Sequence, residues 1–302
     1  MTSLQFFLQQ LANGLTLGAV YALIALGYTM IYGVIQLINF AHGEVFIVGA
    51  YAALTVLLVI TPLGLPWWLT LALMALGAVL CCSLLGFWIE RLTYRPIRHA
   101  PRLNALITAI GMSFVLQNAL MILYGPNDRR FQNPLPPIRW EWAGVSITLM
   151  QVLVWSMSAM LMVGLHLLVT RTKLGLAMRA TSQDLTACAL LGIPIHRIIS
   201  ITFVIGSIFA AIGGLLFGMQ YGTINFHDGY LVGLKAFTAA VLGGIGNLPG
   251  AMAGGVVLGL LEGLGAGYLS AQWKNAFAFI ILIVLLLCKP TGLLGERVAD
   301  RA

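Results

Sequence analysis

Apolar residues run through this chain in long blocks separated by short polar stretches. A helix rises 1.5 Å per residue, so about 20 apolar residues cross the hydrocarbon core of a bilayer. Nine blocks approach or reach that length, at 11–32, 40–60, 67–89, 103–124, 145–169, 198–220, 230–245, 251–269 and 276–288. Eight crossings with one re-entrant stretch are the alternative. Either count predicts an all-α, polytopic integral membrane protein with 1–302 as a single transmembrane domain.

Composition supports that reading. Only 8% of the residues are charged and 60% are hydrophobic, whereas a soluble domain carries about 25% charged residues. The first 90 residues hold no Lys or Arg, and Glu44 and Glu90 are their only acids. A secretory signal opens on a basic stretch; residues 1–10 are uncharged, so the amino terminus is expected to remain in the mature protein. The net charge of +7 collects in short loops, which the positive-inside rule explains better than a nucleic-acid partner. Arg91, Arg95, Arg98, His99 and Arg102 mark 91–102 as a basic cytoplasmic loop, and Arg171, Lys173, Arg179 and Arg197 mark 171–197 as another. The two spans between them put 125–144, with its four prolines, on the periplasmic side. Nine spans then place the amino terminus outside and Lys289, Arg297 and Arg301 inside. Cys81, Cys82, Cys188 and Cys288 show no metal-binding spacing and read as small packing residues, and no cofactor is called for.

Gly255, Gly259, Gly263 and Gly267 recur at every fourth position, which lines one helix face with glycine and lets another helix approach closely. Packing within the subunit is favoured over a subunit interface. Tyr32-Gly33, Asn39-Phe40 and Gly43 are echoed by Tyr221-Gly222, Asn225-Phe226 and Gly229. The spans before the two copies run in opposite directions, as in transporters built from inverted halves. Within apolar text an ionisable group costs ~2.5–3.5 kcal/mol at a helix centre. Glu44, Lys235 and Glu262 are such groups. One reading makes them, with Asn39, His42 and Asn225, the polar lining of a solute path, Glu44 pairing with Lys235; the other has each snorkelling to an interface. The string 243–250, rich in glycine and holding Pro249, reads as a tight turn in preference to a break at membrane depth.

The 171–197 loop is too long for a plain turn. Thr181 or Ser182 as a cap, Asp184 in the first turn, Gly192 as the left-handed exit and Pro194 as the stop predict a helix over 182–191. Leu185, Cys188 and Leu191 recur on one side. With no basic flank or bulky aromatic to hold it flat on a membrane, docking by another protein is favoured.

That loop, GLAMRATSQDLTACALLGI, resembles the cytoplasmic loop of bacterial ABC importer permeases of the high-affinity branched-chain amino acid type. The similarity extends to 14–33, the Asn39-Phe40-Ala41-His42-Gly43-Glu44 string, Glu90-Arg91 with Tyr94-Arg95-Pro96, 105–118 and 235–246. It implies an importer in the bacterial inner membrane, assembled from two related permeases, two ATP-binding cassette ATPases and a periplasmic amino-acid-binding protein. It implies too that 171–197 is the coupling loop. Arg179 and Asp184 are then polar contacts to the ATPase, and Leu185, Cys188, Leu191 and Gly192 complete the docking element. No G-x-x-x-x-G-K-[ST] string is present, so ATP hydrolysis is expected of the partner subunits. A stand-alone ion-coupled secondary transporter is the competing class. An intramembrane enzyme is a weaker third, as neither H-E-x-x-H nor G-x-S-x-G occurs.

Overall fold

The computed structural model describes residues 2–97, 100–142, 144–289 and 291–295. Arg98, His99, Arg297 and Arg301, assigned above to cytoplasmic segments, lie outside the described residues. The main helices are α1 (Ser3–Ile35), α2 (His42–Ile60), α3 (Trp67–Ile89), α4 (Arg102–Tyr124) and α5 (Leu149–Arg171), followed after two short helices by α8 (Ile195–Tyr221), α9 (Asp228–Gly243), α10 (Leu248–Tyr268) and α11 (Lys274–Cys288). Among the described residues, seven helices are long and apolar enough to cross a membrane. The other two of the nine expected crossings fall short, since α9 has 16 residues and α11 has 15. For α9 the cause is visible in the backbone. Gly244 at φ +105° and Gly246 at φ +95° end the helix in conformations that glycine alone adopts easily.

The structure is organised around α1, which is buried without interruption from Thr16 through Ile31. Its closest neighbour is α10, which lies antiparallel along it. A Cβ on Gly255 would stand 2.5 Å from the Cα of Ala22, one on Gly259 2.2 Å from that of Gly18, and one on Gly263 2.7 Å from that of Gly14. The glycine stripe is therefore a contact within the subunit, as expected, with Gly267 closing on the side chain of Gln10.

The partners exchange in the way two inverted halves require. As α10 packs on α1, so α3 packs on α8; as α2 meets α8, so α9 meets α1. The echoed segments touch at the crossing, where a Cβ on Gly43 would lie 2.4 Å from the carbonyl oxygen of Gly229 and 2.8 Å from the Cα of Gly233. The 243–250 string is a tight turn, again as expected. Asn247 caps α10 by accepting the Gly250 N–H at 3.0 Å. Segment 291–295 folds back on that turn, with Leu293 and Leu294 donating to the carbonyls of Leu242 and Gly243 at 2.8 and 3.1 Å.

At the far end, the proline-rich segment is held by short strands. β1 (Arg129–Arg130) pairs with β4 (Thr223–Ile224), and β2 (Arg139–Trp142) forms an antiparallel hairpin with β3 (Val145–Thr148). Phe131 is buried against Gly218.

The α1–α10 contact leaves no space for side chains. Gly259→Val should lower the melting temperature of the detergent-solubilised protein markedly, overpacking alone costing ~1–3 kcal/mol. Gly164→Ala, with nothing within 4 Å of its added Cβ, should leave it unchanged or raise it. Equal losses at both positions would refute the close contact.

Candidate functional site

The chain leaves α5 through Thr172, whose hydroxyl accepts the Gly175 N–H at 3.1 Å and so caps α6 (Lys173–Gln183). Helix α6 ends at Asp184, which is extended at φ −152°. The Asp184 carboxylate accepts the N–H groups of Thr186 and Ala187 at 2.8 and 3.0 Å, capping α7 (Leu185–Leu190). The single helix expected over 182–191 is thus shorter, and Asp184 is its cap instead of a first-turn residue. Thr181 and Ser182 do not cap because their hydroxyls turn back on α6, to the carbonyls of Ala177 and Arg179, both at 2.7 Å. The exit is the one expected, with Gly192 at φ +75° and Ile193 donating to the Cys188 carbonyl at 3.0 Å.

The expected apolar side of this helix is divided. Cys188 is buried, whereas Leu185 is exposed and Leu191 is 79% exposed. Cys188 faces the protein, and the outward apolar pair is Leu190, at 85% exposure, with Leu191. Leu190 escaped the sequence reading because a six-residue helix is too short for its facing to be read from spacing. Arg179 is exposed on α6. Met178, Arg179 and Ser182 border a cavity of about 100 Å³ with Thr29, Gly33 and Leu248, so α6 rests on the end of α1 and on the α9–α10 turn.

The buried ionisable residues expected to line a path do not all come together, and Glu90, also buried, accepts the Ser200 hydroxyl elsewhere. Lys235 Nζ lies 2.7 Å from Glu262 Oε1, and Lys274 Nζ lies 3.5 Å from the same oxygen. The expected Glu44–Lys235 pair is not formed. Lys235 and Glu262 face each other across the α9–α10 hairpin, while Glu44 sits on α2 and accepts the Ser113 hydroxyl of α4 at 3.1 Å. Lys274 also reaches the Tyr221 hydroxyl at 3.4 Å and lines a cavity of about 220 Å³ with Gln10, Asn13 and Thr16. Sequence reasoning missed Lys274 because it stands just ahead of the 276–288 block, outside the apolar text searched for buried charge. His42, fully buried, stacks edge-on against Tyr28 at 4.8 Å and occupies the space that a side chain at Gly27 would need.

The two asparagines serve other purposes. Asn39 is buried and accepts the Tyr94 hydroxyl at 3.1 Å, tying the 36–41 connection to the end of α3. Asn225 donates to Asp128 at 2.7 Å and accepts the His227 N–H at 3.0 Å, holding the proline-rich loop at the opposite end. The six residues considered for a solute path therefore do not converge on one point.

Glu262 balances two cations, and removing one partner of a buried pair costs more than replacing the pair. Glu262→Gln should reduce folded yield and melting temperature more than Lys235→Met, which leaves Glu262 with Lys274. The reverse order in a size-exclusion melting assay would refute this balance.

Comparison with known proteins places these features in a family. The family described as the branched-chain amino acid transport system / permease component matches residues 10–286. The chain is 47% identical to the high-affinity branched-chain amino acid transport system permease protein BraD of Pseudomonas aeruginosa, covering 100% of both chains. It is 46% identical to the permease protein LivH of Escherichia coli over 98% of each chain. A probable LivH permease of Methanocaldococcus jannaschii is 28% identical over 90% of this chain and 88% of the relative. These relatives give no support to the stand-alone ion-coupled reading. With its helical framework and nearly the whole of its length matched, the chain belongs to the permease component family of branched-chain amino acid transport systems.

Proposed function

We propose that the chain is the membrane-spanning permease subunit of an ATP-driven importer that moves branched-chain, hydrophobic amino acids across the bacterial inner membrane. The full-length relationship to branched-chain amino acid permease proteins carries this reading. Its partners are a second related permease, two ATP-binding cassette ATPase subunits and a periplasmic amino-acid-binding protein. The end bearing α6 and α7 faces the cytoplasm, where Arg91, Arg95, Arg171, Lys173, Arg179 and Arg197 gather in accord with the positive-inside rule. The β2–β3 hairpin and the start of α1 then face the periplasm.

The joint with the ATPase is α7. Its exposed Leu190 and Leu191 suit an apolar pocket on a partner, Asp184 fixes where the helix begins, and Arg179 adds a cation nearby. ATP binding to the partner subunits closes them and carries α7 with them. Helix α6 transfers that shift to α1 and to the α9–α10 turn, which it borders.

The Leu190→Ser/Leu191→Ser variant tests the joint. Both side chains are exposed, so folding of the chain should be unaffected, while copurification of the ATPase falls at least fivefold and amino-acid uptake falls with it. Asp184→Ala, losing a cap worth ~1 kcal/mol, should act in the same direction more weakly. Undiminished ATPase capture by the double variant would overturn the assignment.

A further inference from the structure

We propose that the cleft between α4 and α9 is a substrate subsite, in which Glu44 receives the α-amino group of the transported amino acid and an apolar wall takes its side chain. This rests on the importer reading and adds to it a defined place in the permease where the solute is held.

Glu44 is 1% exposed, in the first turn of α2. One carboxylate oxygen accepts the Ser113 hydroxyl, and the other has no hydrogen-bond partner among the described residues. No ion pair to Glu44 occurs among those residues either, and Lys235 of the adjoining α9 is paired with Glu262. An enclosed carboxylate with a single hydroxyl donor is an unsatisfied group of high cost, and an ammonium is the chemistry that satisfies it. Lys235 and Glu262 are already matched within the fold; Glu44 is not.

The space beside Glu44 has the shape of an answer. Ser113 and Gly229 both line a cavity of about 160 Å³, several times the ~30 Å³ share of one water molecule. The carboxylate lies where these two residues meet, because a Cβ on Gly229 would stand 2.6 Å from Glu44 Oε2. Any side chain there would crowd the carboxylate away from its present position. The rest of the wall is Tyr28, Phe40, Ile110, Phe114, Tyr230 and Leu234. One anion against an otherwise aromatic and aliphatic surface selects a small molecule with an ammonium at one end and an apolar body. A charged side chain would lose its hydration against that wall, whose polar groups beside the carboxylate are only the hydroxyls of Ser113, Tyr28 and Tyr230.

The glycines explain why the carboxylate is available. Gly43, Gly229 and Gly233 bring the backbones of α2 and α9 into contact. That contact sets Glu44 against α9 with only glycine between it and the cleft.

The complete transporter in proteoliposomes, energised with ATP and supplied with a diazirine analogue of leucine, tests the proposal. Photolabelling should fall on 110–114 and 230–234, be displaced by leucine, and resist 4-methylpentanoate, which has the same apolar body without the amine. Glu44→Gln should reduce labelling and uptake at least tenfold. Ile110→Ala keeps the carboxylate and alters only a partly exposed wall residue, so it should raise the KM for leucine several-fold while leaving kcat in place. Labelling elsewhere during normal uptake, or an assembled Glu44→Gln complex that labels and transports like the parent, would overturn the subsite while leaving the importer reading intact. A parent complex that moves no branched-chain amino acid would overturn the importer reading itself, and the subsite with it.

Discussion

Backbone contact between α1 and α10 sets the spacing on which the other helices depend. Lipid tails are as apolar as leucine, so two helices in a membrane gain little by hiding apolar side chains from it. They gain by coming close enough for backbone atoms to touch, and Gly255, Gly259 and Gly263 permit that against Ala22, Gly18 and Gly14. Once α1 is enclosed, its polar groups must find partners inside the protein. Near its start two of them do so on α5, where Trp155 donates to Thr16 at 3.0 Å and Gln151 donates to Asn13 at 3.2 Å, whereas the buried Thr29 hydroxyl further along has no partner among the described residues. Close packing on one side of α1 thus dictates hydrogen bonding on the other.

Charge inside the bundle obeys the same requirement. Glu262 gathers Lys235 from α9 and Lys274 from α11, so one carboxylate on α10 joins three consecutive helices. A buried ion pair is weak evidence for stability, since desolvation offsets much of the attraction, but it is strong evidence for register because each helix must present its charge at one depth. Glu44 has no such counterpart among the described residues: one of its oxygens is buried without a hydrogen-bond partner, which sets it apart from the group that organises the fold.

The sequence made the framework legible because its signals are local. Span positions follow from length and apolarity, and the glycine stripe from a spacing of four. Other features depended on which surfaces meet. Gly14, Gly18 and Ala22 also recur at every fourth position, yet nothing in that spacing names α10 as their partner. One of two readings of the sequence pairs Lys235 with Glu44, since both interrupt apolar text, whereas the fold brings it to Glu262, 27 residues away. The start of α7 was misplaced by competition among Thr181, Ser182 and Asp184, three residues able to cap. Only the turning back of two hydroxyls onto α6 decides among them.

Differences in packing indicate where volume can change. Helix α6 borders the end of α1, and α1 meets α10 through contacts with no flexible side chain between them. A cavity separates part of α6 from α1, but between α1 and α10 there is little to deform, so those two helices respond together. Helix α4 is different: it packs chiefly on α2 and the 90–94 turn, with Ile107, Phe114, Val115, Ile122 and Leu123 exposed. Across the cleft beside Glu44, α4 faces α9 and Tyr28 of α1. Because close-packed backbones resist compression while a helix with few contacts can tilt, a shift reaching the bundle from α6 is taken up most readily at α4. On the importer reading, that is the wall whose movement would admit or release the solute.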